Sequence, residues 1–417
     1  MNVLVIGHGG REHAICYALD KAESVSRIYV AKGNDGMRDI ATIVDIDEMD
    51  NERLVDFAIK NEIDLTVVGP EVCLSNGIVD AFRAKNLVIF GPTKEAAKME
   101  SSKKYAKDLM KKYHIPTACY ETFNNYEEAL NYVKKHSFPL VIKYDGLAAG
   151  KGVVIPNNLQ EAEKYLQDML LNNKFGHGQI VIEDFLDGVE FSYMCFVNEN
   201  KLYPMPIAQD HKRAFDNDLG PNTGGMGAYS PVSFINDKDM QEAHEIMQMT
   251  VDALMNENNP YTGVLYGGLI KTKDGIKVIE FNARFGDPET EVILPRLKSD
   301  FGKVLLHVLI NKYIKIEWDT DVTLGVVLAS KGYPDTYENG YKITGLDDVK
   351  LVFHMGTRLE NGEYKTNGGR VLFVVGKGKT FKEAYDNAYS DVHKIKCDNL
   401  FYRTDIGHHM IDFNGGK

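Results

Sequence analysis

The first candidate site is a glycine-rich segment, Asp145–Gly152, that follows Lys143 and separates two apolar runs. Glycines let backbone amides approach phosphate oxygens closely, and the ammonium groups of Lys143 and Lys151 neutralise the phosphate charge. The spacing is one residue short of a Walker loop, and Gly152 stands where that loop has Ser or Thr. A plain hairpin is the alternative, but it would not need two lysines and so many small residues. We therefore predict a nucleotide-phosphate loop that is not of the Walker type.

The second candidate lies on a predicted strand near residue 280, where polar and apolar side chains alternate. Strand geometry places Glu280, Asn282 and Arg284 on one face, with Ile279 and Phe281 on the other. Carboxylate and carboxamide oxygens are hard ligands for Mg²⁺, which also takes oxygens from substrate phosphates. The Arg284 guanidinium can grip a phosphoryl group in transfer or the carboxylate that receives it. A solvated, salt-bridged strand face is the alternative, and the flanking aromatic residues argue against it.

The third candidate follows the first apolar run, Val3–Ile6, where Gly7–Gly10 precede Arg11 and Glu12. A glycine turn between a strand and a helix presents backbone amides and the positive helix end to a phosphate. Glu12 occupies the third glycine position of the dinucleotide fingerprint, so NAD is the weaker interpretation. A tight strand–helix turn that binds no ligand is the other alternative. Because a cation at position 11 has little structural purpose, we expect Arg11 to bind a phosphate-bearing substrate.

The fourth candidate is the polar, glycine-rich segment Gln209–Pro231, which is too long for a simple connection. Its second half, Gly220–Gly227, offers backbone amides to an anion, and Asp210 could hold a substrate amine. A flexible surface loop is the alternative. His211 alone is more typical of a structural histidine than of a catalytic one. We expect a functional loop in this segment.

Composition limits the classes of partner. Lys and Arg total 48 against 60 Asp and Glu, which gives a net charge of -12 over 417 residues. Nucleic-acid binding needs a clustered excess of cations, so we expect no nucleic-acid partner. The five cysteines lack the spacing of a zinc site or a disulfide framework. No signal peptide precedes the first strand and no apolar run could span a bilayer, so we expect a cytoplasmic protein without a membrane partner.

The elements that position these residues fall into three predicted domains. Residues 1–100 alternate apolar runs with amphipathic stretches, which is typical of a parallel, Rossmann-like sheet with crossover helices. The loop at Gly69-Pro70-Glu71 follows one of these strands, at the sheet edge where ligands of open α/β sheets bind. Residues 101–321 are predicted to form an α+β domain. A small α+β domain follows over residues 322–417.

Four strings carry a family resemblance: GPTKEAAKMESSK, IKYDGLAAGKGVV, QDHKRAFDNDLGPNTGGMGAYSP and VIEFNARFGDPETE. Together they resemble the ATP-grasp superfamily and, within it, the phosphoribosylamine–glycine ligase family. The resemblance extends over essentially the whole chain, from VLVIGHGGREHA to FYRTDIG. It implies a pre-ATP-grasp domain that binds the phosphate-bearing substrate, a two-lobed ATP-grasp domain and a lid-like C-terminal domain. Residues 120–190 would be the mobile ATP-binding lobe.

The activity implied by this resemblance is the ATP-dependent ligation of glycine to 5-phosphoribosylamine in de novo purine biosynthesis. The products are glycinamide ribonucleotide, ADP and phosphate, and the implied intermediate is glycyl phosphate. The divalent cation would be Mg²⁺ or Mn²⁺. We expect glycine and phosphoribosylamine to be the partners of a monomeric enzyme.

The resemblance also assigns residues. ATP binding falls to lysines, loop glycines and a strand-end segment: Lys103, Lys143, Gly146, Gly150, Lys151, Gly152, Glu183, Phe185, Leu186 and Glu190. Substrate binding falls to Gly9, Gly10, Arg11, Glu71, Asp210, Asn222, Thr223, Gly224, Gly225 and Arg284. The backbone near Glu183 would read adenine, and Glu190 would take the ribose hydroxyls. Arg284 and Asp210 would form the catalytic site, and Glu280 and Asn282 would be the metal ligands.

One departure and two alternatives remain open. Many superfamily members carry an acidic metal ligand on the strand before the Glu-x-Asn strand, but Leu265–Ile270 contains no acid. A second fixed metal is therefore not implied unless phosphates and water supply its other ligands. A different ATP-grasp ligase, such as a carboxylase-type or aminoimidazole ribonucleotide enzyme, would lack Gly220–Gly227 and respond to bicarbonate. A non-catalytic nucleotide sensor would have no reason to keep Arg284 beside the metal face.

Overall fold

The computed structural model describes residues 1–148 and 152–414, with side chains described as far as residue 411. The first elements are β1 (Asn2–Gly7), α1 (Gly10–Asp20), β2 (Arg27–Lys32), β3 (Thr42–Ile43), α2 (Asn51–Lys60), β4 (Leu65–Val68), α3 (Glu71–Ser75), α4 (Ile78–Arg83) and β5 (Ile89–Phe90). The strands form a parallel sheet in the order β3-β2-β1-β4-β5. Leu4 and Val5 are both fully buried, so each face of the sheet is covered. The loops after β1 and β4 meet at its carboxyl edge.

A small antiparallel sheet follows. Its elements are α5 (Lys98–Ser101), α6 (Lys103–Lys112), β6 (Tyr120–Phe123), α7 (Tyr126–Val133), β7 (Leu140–Tyr144), β8 (Val153–Val154), α8 (Leu159–Leu166), a π-helical turn (Gln167–Leu171) and β9 (Ile180–Asp184). The strand order is β6-β9-β7-β8. This sheet packs with α7 and α8 around a core of its own, which includes Leu130, Ile142, Leu166 and Ile182. The separate core supports our proposal that residues 120–190 form a mobile lobe.

The central part of the chain builds a second antiparallel sheet. Its elements are β10 (Val189–Asn198), β11 (Lys201–Pro204), β12 (Gln209–Asp210), β13 (Arg213–Phe215), β14 (Leu219–Asn222), β15 (Gly227–Ser230), α9 (Asp237–Asn256), β16 (Thr262–Thr272), β17 (Gly275–Asn282), α10 (Thr290–Ile293) and α11 (Phe301–Leu309). The sheet order is β11-β10-β16-β17. Between β16 and β17, Gly268 pairs with Glu280 but Leu269 pairs with Val278, so Ile279 is an extra residue in a β-bulge.

The C-terminal region shares its sheet with the central part. Its elements are β18 (Val322–Ser330), β19 (Val352–His354), β20 (Thr357–Glu360), β21 (Glu363–Thr366), β22 (Arg370–Gly378), α12 (Phe381–Val392), β23 (Leu400–Phe401) and α13 (His408–Asn414). The strand order β12-β15-β18-β22-β19 places two strands from Gln209–Pro231 beside the C-terminal strands. That segment was expected to be a loop, and within it β13 and β14 also pair as a ribbon.

The fold class expected from the sequence is confirmed. A parallel N-terminal sheet, two antiparallel sheets around the expected nucleotide site and a C-terminal α+β region are all present. The division at residues 100 and 321 stays a proposal. Among the described residues, no helix is long and apolar enough to cross a membrane.

Candidate active site

Lys143, at the end of β7, lies where the small sheet faces the large one. Its side chain is almost fully buried, and its Nζ lies 2.9 Å from Glu183 Oε1 on the adjacent strand β9. The same ammonium donates a hydrogen bond of 3.0 Å to the carbonyl of Ile279. That carbonyl belongs to the bulged residue of β17, so the bulge turns a backbone acceptor toward the lysine. Lys143 therefore links the two lobes at the expected phosphate position.

Lys103 begins α6 and reaches the glycine-rich segment. Its Nζ donates to the carbonyl of Gly146 over 2.9 Å. Asp145 accepts hydrogen bonds from the backbone amide of Lys104 and from the hydroxyl of Ser102, which ties the segment to the start of α6. The predicted ATP ligands Gly150 and Lys151 lie outside the described residues. The described part of the segment is thus held beside a second lysine.

The segment after β9 was expected to bind adenine and ribose. Phe185 is exposed and Leu186 is half-buried, which leaves this stretch open to solvent at the edge of the cleft. The exposed carboxylate of Glu190 lies 3.0 Å from Lys212 Nζ, and its backbone carbonyl accepts from the Gln209 side chain. Glu190 is the main cause of a raised pKa of Lys212. Lys212 is a cation that the sequence interpretation did not select, although it stands in one of the four quoted strings.

Glu280 and Asn282 lie on the same side of β17, and both are half-buried. Burial alone would raise the pKa of Glu280, but Lys212, Lys143 and Lys103 outweigh it and the net shift is downward. Within the described part of the chain, neither side chain is used in a hydrogen bond or an ion pair. An ionised carboxylate and a free amide oxygen therefore stand together between cations.

This donor set fits a single divalent cation that shares its coordination sphere with phosphate oxygens. Over residues 1–148 and 152–414, no cluster of three or more His, Cys, Asp or Glu could hold a metal without such help. The absence of an acid on Leu265–Ile270 agrees with this arrangement. Glu280 and Asn282 are thus suited to a metal that arrives with the nucleotide.

Arg284, just beyond β17, is held between two carboxylates. Its Nη2 lies 3.1 Å from Glu100 Oε1, and its Nε lies 3.5 Å from Glu71 Oε2. Glu100 also accepts the backbone amide of Ala283 over 2.7 Å. Burial raises the pKa of Glu100, and Arg284 only partly offsets this. The guanidinium is therefore oriented at the end of β17, the strand that carries Glu280 and Asn282.

Arg11 shares Glu71 with Arg284. Its Nη1 lies 3.8 Å from Glu71 Oε2, and its Nε lies 2.6 Å from Glu12 Oε1. The two arginines outweigh burial and lower the pKa of Glu71. The backbone amide of Gly9 donates to Glu12 Oε2 over 2.7 Å, so this amide, expected to meet a phosphate, already has a partner. Gly10 is buried beside Arg11.

Asp210 faces the predicted glycine-rich anion site. Its Oδ1 is buried and has no hydrogen-bond partner within the described residues. Burial and the charge of Glu289 raise the pKa of Asp210 well above its usual range. A Cβ on Gly225, where φ is +116°, would come within 2.7 Å of that oxygen and 2.6 Å of Pro288 Cδ. Position 225 therefore requires glycine for both its backbone conformation and this close approach.

The loop from Asn222 to Gly225 is fixed by contacts from two regions. Thr223 Oγ1 donates to the carbonyl of Lys212 and accepts from the amide of Gly225. From the C-terminal region, Arg370 Nη1 donates to the carbonyl of Gly224 over 2.8 Å. Half-buried Asn222 ends β14 opposite Arg213.

Arg370 was missed by the sequence interpretation. Its Nη2 lies 2.9 Å from Asp287 Oδ1, so it joins the glycine loop to the segment after Arg284. The only sequence signal was the glycine turn Asn367-Gly368-Gly369 directly before it. The site thus brings together the lysines, Glu280 and Asn282 at one end and the cluster of Arg11, Glu71 and Arg284 at the other, with Asp210 beside the loop.

Three domain families match the chain. Their descriptions are phosphoribosylglycinamide synthetase, N domain, over residues 1–100; the ATP-grasp (A) domain of the same enzyme over residues 101–290; and its C domain over residues 323–409. The three matches follow one another in the order of the domains along the chain.

Similar proteins have also been characterised or solved. The phosphoribosylamine–glycine ligase of Halalkalibacterium halodurans is 54% identical, with 99% of this chain and 97% of that protein covered. The crystal structure of phosphoribosylamine–glycine ligase from Thermotoga maritima has a TM-score of 0.85 at 35% identity, covering 97% of this chain and 100% of that one. A biotin carboxylase domain from Hydrogenobacter thermophilus, solved with MgADP, has a TM-score of 0.71 at 15% identity, covering 96% and 91%. This last likeness concerns the fold alone.

Proposed function

The chain belongs to the phosphoribosylglycinamide synthetase family, and from this premise we propose how its cleft carries out the reaction of that family. It is an ADP-forming ATP-grasp ligase of purine biosynthesis that joins glycine to 5-phosphoribosylamine. The observation that supports our proposal is that the Glu280 carboxylate, free of hydrogen bonds and ion pairs within the described residues, lies near enough to the buried ammonium of Lys143 for that charge to lower its pKa. An anion and its counter-cation can be bound there together.

In our proposal the triphosphate of ATP lies between Lys103, Lys143 and the β17 face. The adenine would meet the backbone after β9 near Phe185 and Leu186, and Glu190 would accept the ribose hydroxyls. Glu280 and Asn282 would hold Mg²⁺ or Mn²⁺, which neutralises phosphate charge when bound. Gly146 and Gly152, the described glycines of that segment, would lie over the phosphates and help to exclude water from the transfer.

Arg284 would orient the glycine carboxylate for the first step. A carboxylate oxygen attacks the γ-phosphorus, the bond to the β-phosphate oxygen breaks, and ADP leaves. The product is glycyl phosphate. Because the transferred phosphoryl group brings the negative charge of its oxygens to the glycine carboxylate, a fixed guanidinium at the end of β17 would stabilise the transition state. Asp210, with an open carboxylate oxygen, would receive the glycine ammonium, whose positive charge would return the Asp210 pKa toward its usual range.

In the second step the amine of phosphoribosylamine attacks the acyl carbon. The C–O bond to phosphate breaks, and inorganic phosphate leaves with an oxygen that came from glycine. The departing phosphate takes up the proton that the amine loses. We propose that Arg11 and the turn at Gly9-Gly10 bind the ribose phosphate, with Glu71 giving up its arginine contacts as the substrate enters. The loop from Asn222 to Gly225 would close the glycine side. No general base is required, because the amine nucleophile can attack unprotonated.

The test of this proposal is ADP release by the purified protein, with glycine and phosphoribosylamine each omitted in turn. We expect release to depend on both substrates and on a divalent cation. Bicarbonate in place of glycine should give no stimulation. ADP release that needs neither substrate, or that follows bicarbonate, would contradict the proposed assignment.

Isotope transfer tests the acyl phosphate itself. With glycine labelled by ¹⁸O in both carboxylate oxygens, the released phosphate should carry one labelled oxygen, because that oxygen bridges carbon and phosphorus in the intermediate. Unlabelled phosphate would rule out glycyl phosphate while leaving the ligase activity intact.

We propose that the enzyme works as a monomer in the cytoplasm. All five cysteines are free, and Cys16, Cys73 and Cys195 are buried, which suits a reducing compartment. Sedimentation at micromolar concentration tests the oligomeric state: a single species of 46.8 kDa is expected.

A further inference from the structure

The carboxylate of Glu183 lies between two lysines inside the nucleotide lobe. Its Oε1 is 2.9 Å from Lys143 Nζ, and its Oε2 is 2.8 Å from Lys107 Nζ on α6. All three side chains are at most 4% exposed. Lys107 was not selected from the sequence, and the proposed mechanism gives it no task. A buried cation needs a compensating partner, and here the partner is shared with a lysine expected at the ATP phosphates.

Lys107 is fixed from the opposite side as well. Its Nζ donates 2.7 Å to the hydroxyl of Thr117, and that hydroxyl donates 2.7 Å to the carbonyl of Val278 on β17. Lys143 donates to the next carbonyl, that of Ile279. The Lys107–Glu183–Lys143 row therefore ends on two consecutive residues at the bulge, just before Glu280. Glu183 therefore lies between Lys107 and Lys143, and Lys143 is the lysine expected to meet the ATP phosphates.

The net charge of Lys107, Glu183 and Lys143 determines whether the Lys143 ammonium is available to bind a phosphate. Two ammonium groups and one carboxylate leave one net positive charge. Burial lowers the pKa of Lys107 to about 8, with Glu183 opposing the shift, so the amine is still mostly protonated at neutral pH. Without Lys107, Glu183 would be neutralised by Lys143 alone, and a buried ion pair of that kind would hold the ammonium away from an incoming phosphate.

We propose that Lys107 is a positioning residue for nucleotide binding: by sharing Glu183, it keeps Lys143 oriented while leaving its positive charge available to the ATP phosphates. Lys107 touches no substrate, and its effect passes through the carboxylate. The inference rests on the proposed placement of ATP against Lys143. It adds Lys107 to the residues that support ATP binding. It also requires that Lys107, Glu183 and Lys143 together keep one net positive charge.

Three single variants test the role of the charge. Lys107→Met removes it, Lys107→Arg keeps it, and Lys111→Met removes an exposed lysine one turn further along α6 as a matched control. Binding of MgADP is measured by calorimetry, beside KM for ATP and for glycine. For Lys107→Met we expect affinity for MgADP to fall by about tenfold to a hundredfold, the scale of one charge-assisted hydrogen bond. KM for glycine should stay within about twofold of wild type.

Lys107→Arg should retain most of the nucleotide affinity, and Lys111→Met all of it. Thermal unfolding is recorded for each variant. Unchanged MgADP affinity in a folded Lys107→Met would overturn the proposal, as would an equal loss in Lys107→Arg with its charge in place.

A double variant separates positioning from packing. Lys107→Met combined with Glu183→Gln restores one net positive charge, because the carboxylate that would capture Lys143 is gone. We expect nucleotide affinity to recover by about tenfold relative to Lys107→Met, whereas a packing defect would give no recovery or a further loss. If the affinity for MgADP did not recover in the double variant, the proposed role of the net charge would be wrong.

These results are distinguishable from failure of the proposed function. If the wild-type protein released ADP without glycine and phosphoribosylamine, the function would be wrong, whatever the variants did. If the wild type required both substrates but folded Lys107→Met bound MgADP normally, only the role of Lys107 would be wrong.

Discussion

The two ends of the cleft differ in how their charged groups are occupied. At the end that we propose for the nucleotide, Glu280 and Asn282 make no hydrogen bond or ion pair within the described residues, and Lys143 shares its carboxylate with another lysine. At the end that we propose for the phosphate-bearing substrate, each arginine has a carboxylate of its own. Arg11 contacts Glu12 and Glu71, and Arg284 contacts Glu71 and Glu100.

This difference teaches how the two ends bind their ligands. In our proposal the nucleotide end is preorganised, because the oxygens of Glu280 and Asn282 need only a cation and the lysines need only an anion. At the other end, the phosphate in our proposal replaces Glu71, whose contacts of 3.5 and 3.8 Å to the two arginines are the longest ion pairs in the cluster. We therefore expect loss of the Glu280 carboxylate at the first end to abolish turnover and loss of Arg11 at the second end to change substrate affinity.

The largest effect is expected from Glu280→Gln. The amide cannot supply the anionic metal ligand, and the facing lysines lose their counter-charge, so the rate of ADP release should fall by about a thousandfold. The measurement is ADP release over a range of Mg²⁺ concentrations, with thermal unfolding as the folding control. A normal rate at ordinary Mg²⁺ would remove Glu280 from the metal site.

Arg284→Lys tests the boundary between the two ends. Lysine keeps the charge but loses the fork that lies between Glu71 and Glu100, so kcat should fall by about a hundredfold. KM for ATP should change by less than about threefold. Arg53→Lys, at an exposed position of α2, is the matched control. A rise in KM for ATP with kcat unchanged would place Arg284 at the nucleotide instead.

Arg11→Ala probes the phosphate-substrate end alone. Loss of one guanidinium from a phosphate site should raise KM for phosphoribosylamine by about tenfold and leave KM for ATP near normal. Arg38→Ala removes a surface arginine of the same region and should change neither constant. An unchanged KM for phosphoribosylamine would move the phosphate site elsewhere.

The smallest effect is expected on the pH dependence of stability, and it concerns His13, which lies on the same helix as Arg11. His13, on the same helix, accepts the backbone amide of His354 over 2.9 Å, and burial lowers its pKa to about 3. Because the unfolded chain binds this proton near pH 6.5 and the folded chain does not, stability should fall as pH drops below that value. The slope is roughly 1.4 kcal/mol per pH unit for this histidine.

Urea unfolding between about pH 7 and 5 measures the slope. His13→Gln should reduce it, while His177→Gln, at an exposed position, should not. An identical slope in His13→Gln would show that this histidine is not protonated selectively in the unfolded state.

The sequence predicted the positions of candidate site residues best where local secondary structure alone determines them. Lys143, Gly146 and Glu280 could be placed because a strand end or a strand face fixes their direction over a few residues. The parallel N-terminal sheet could be predicted from continuous apolar runs, because a strand that is buried on both faces is apolar at successive positions. These features depend on neighbours in the chain.

Other features depend on contacts far apart in the sequence. Arg370 meets the carbonyl of Gly224 across 146 positions, and β15 pairs with β18 rather than remaining a loop. Lys107 is one of five lysines on α6, and only the packed helix shows which of them turns inward. The bulge at Ile279 likewise depends on the register of β16, which strand alternation alone does not show.

The most direct test of the account is a crystal structure with a non-hydrolysable ATP analogue and Mn²⁺, located by anomalous scattering. We predict one manganese peak bound by Glu280 and Asn282, with the phosphates between it and Lys143 and the terminal phosphate directed toward Arg284. A nucleotide bound away from Lys143, or a metal that contacts neither Glu280 nor Asn282, would contradict the account.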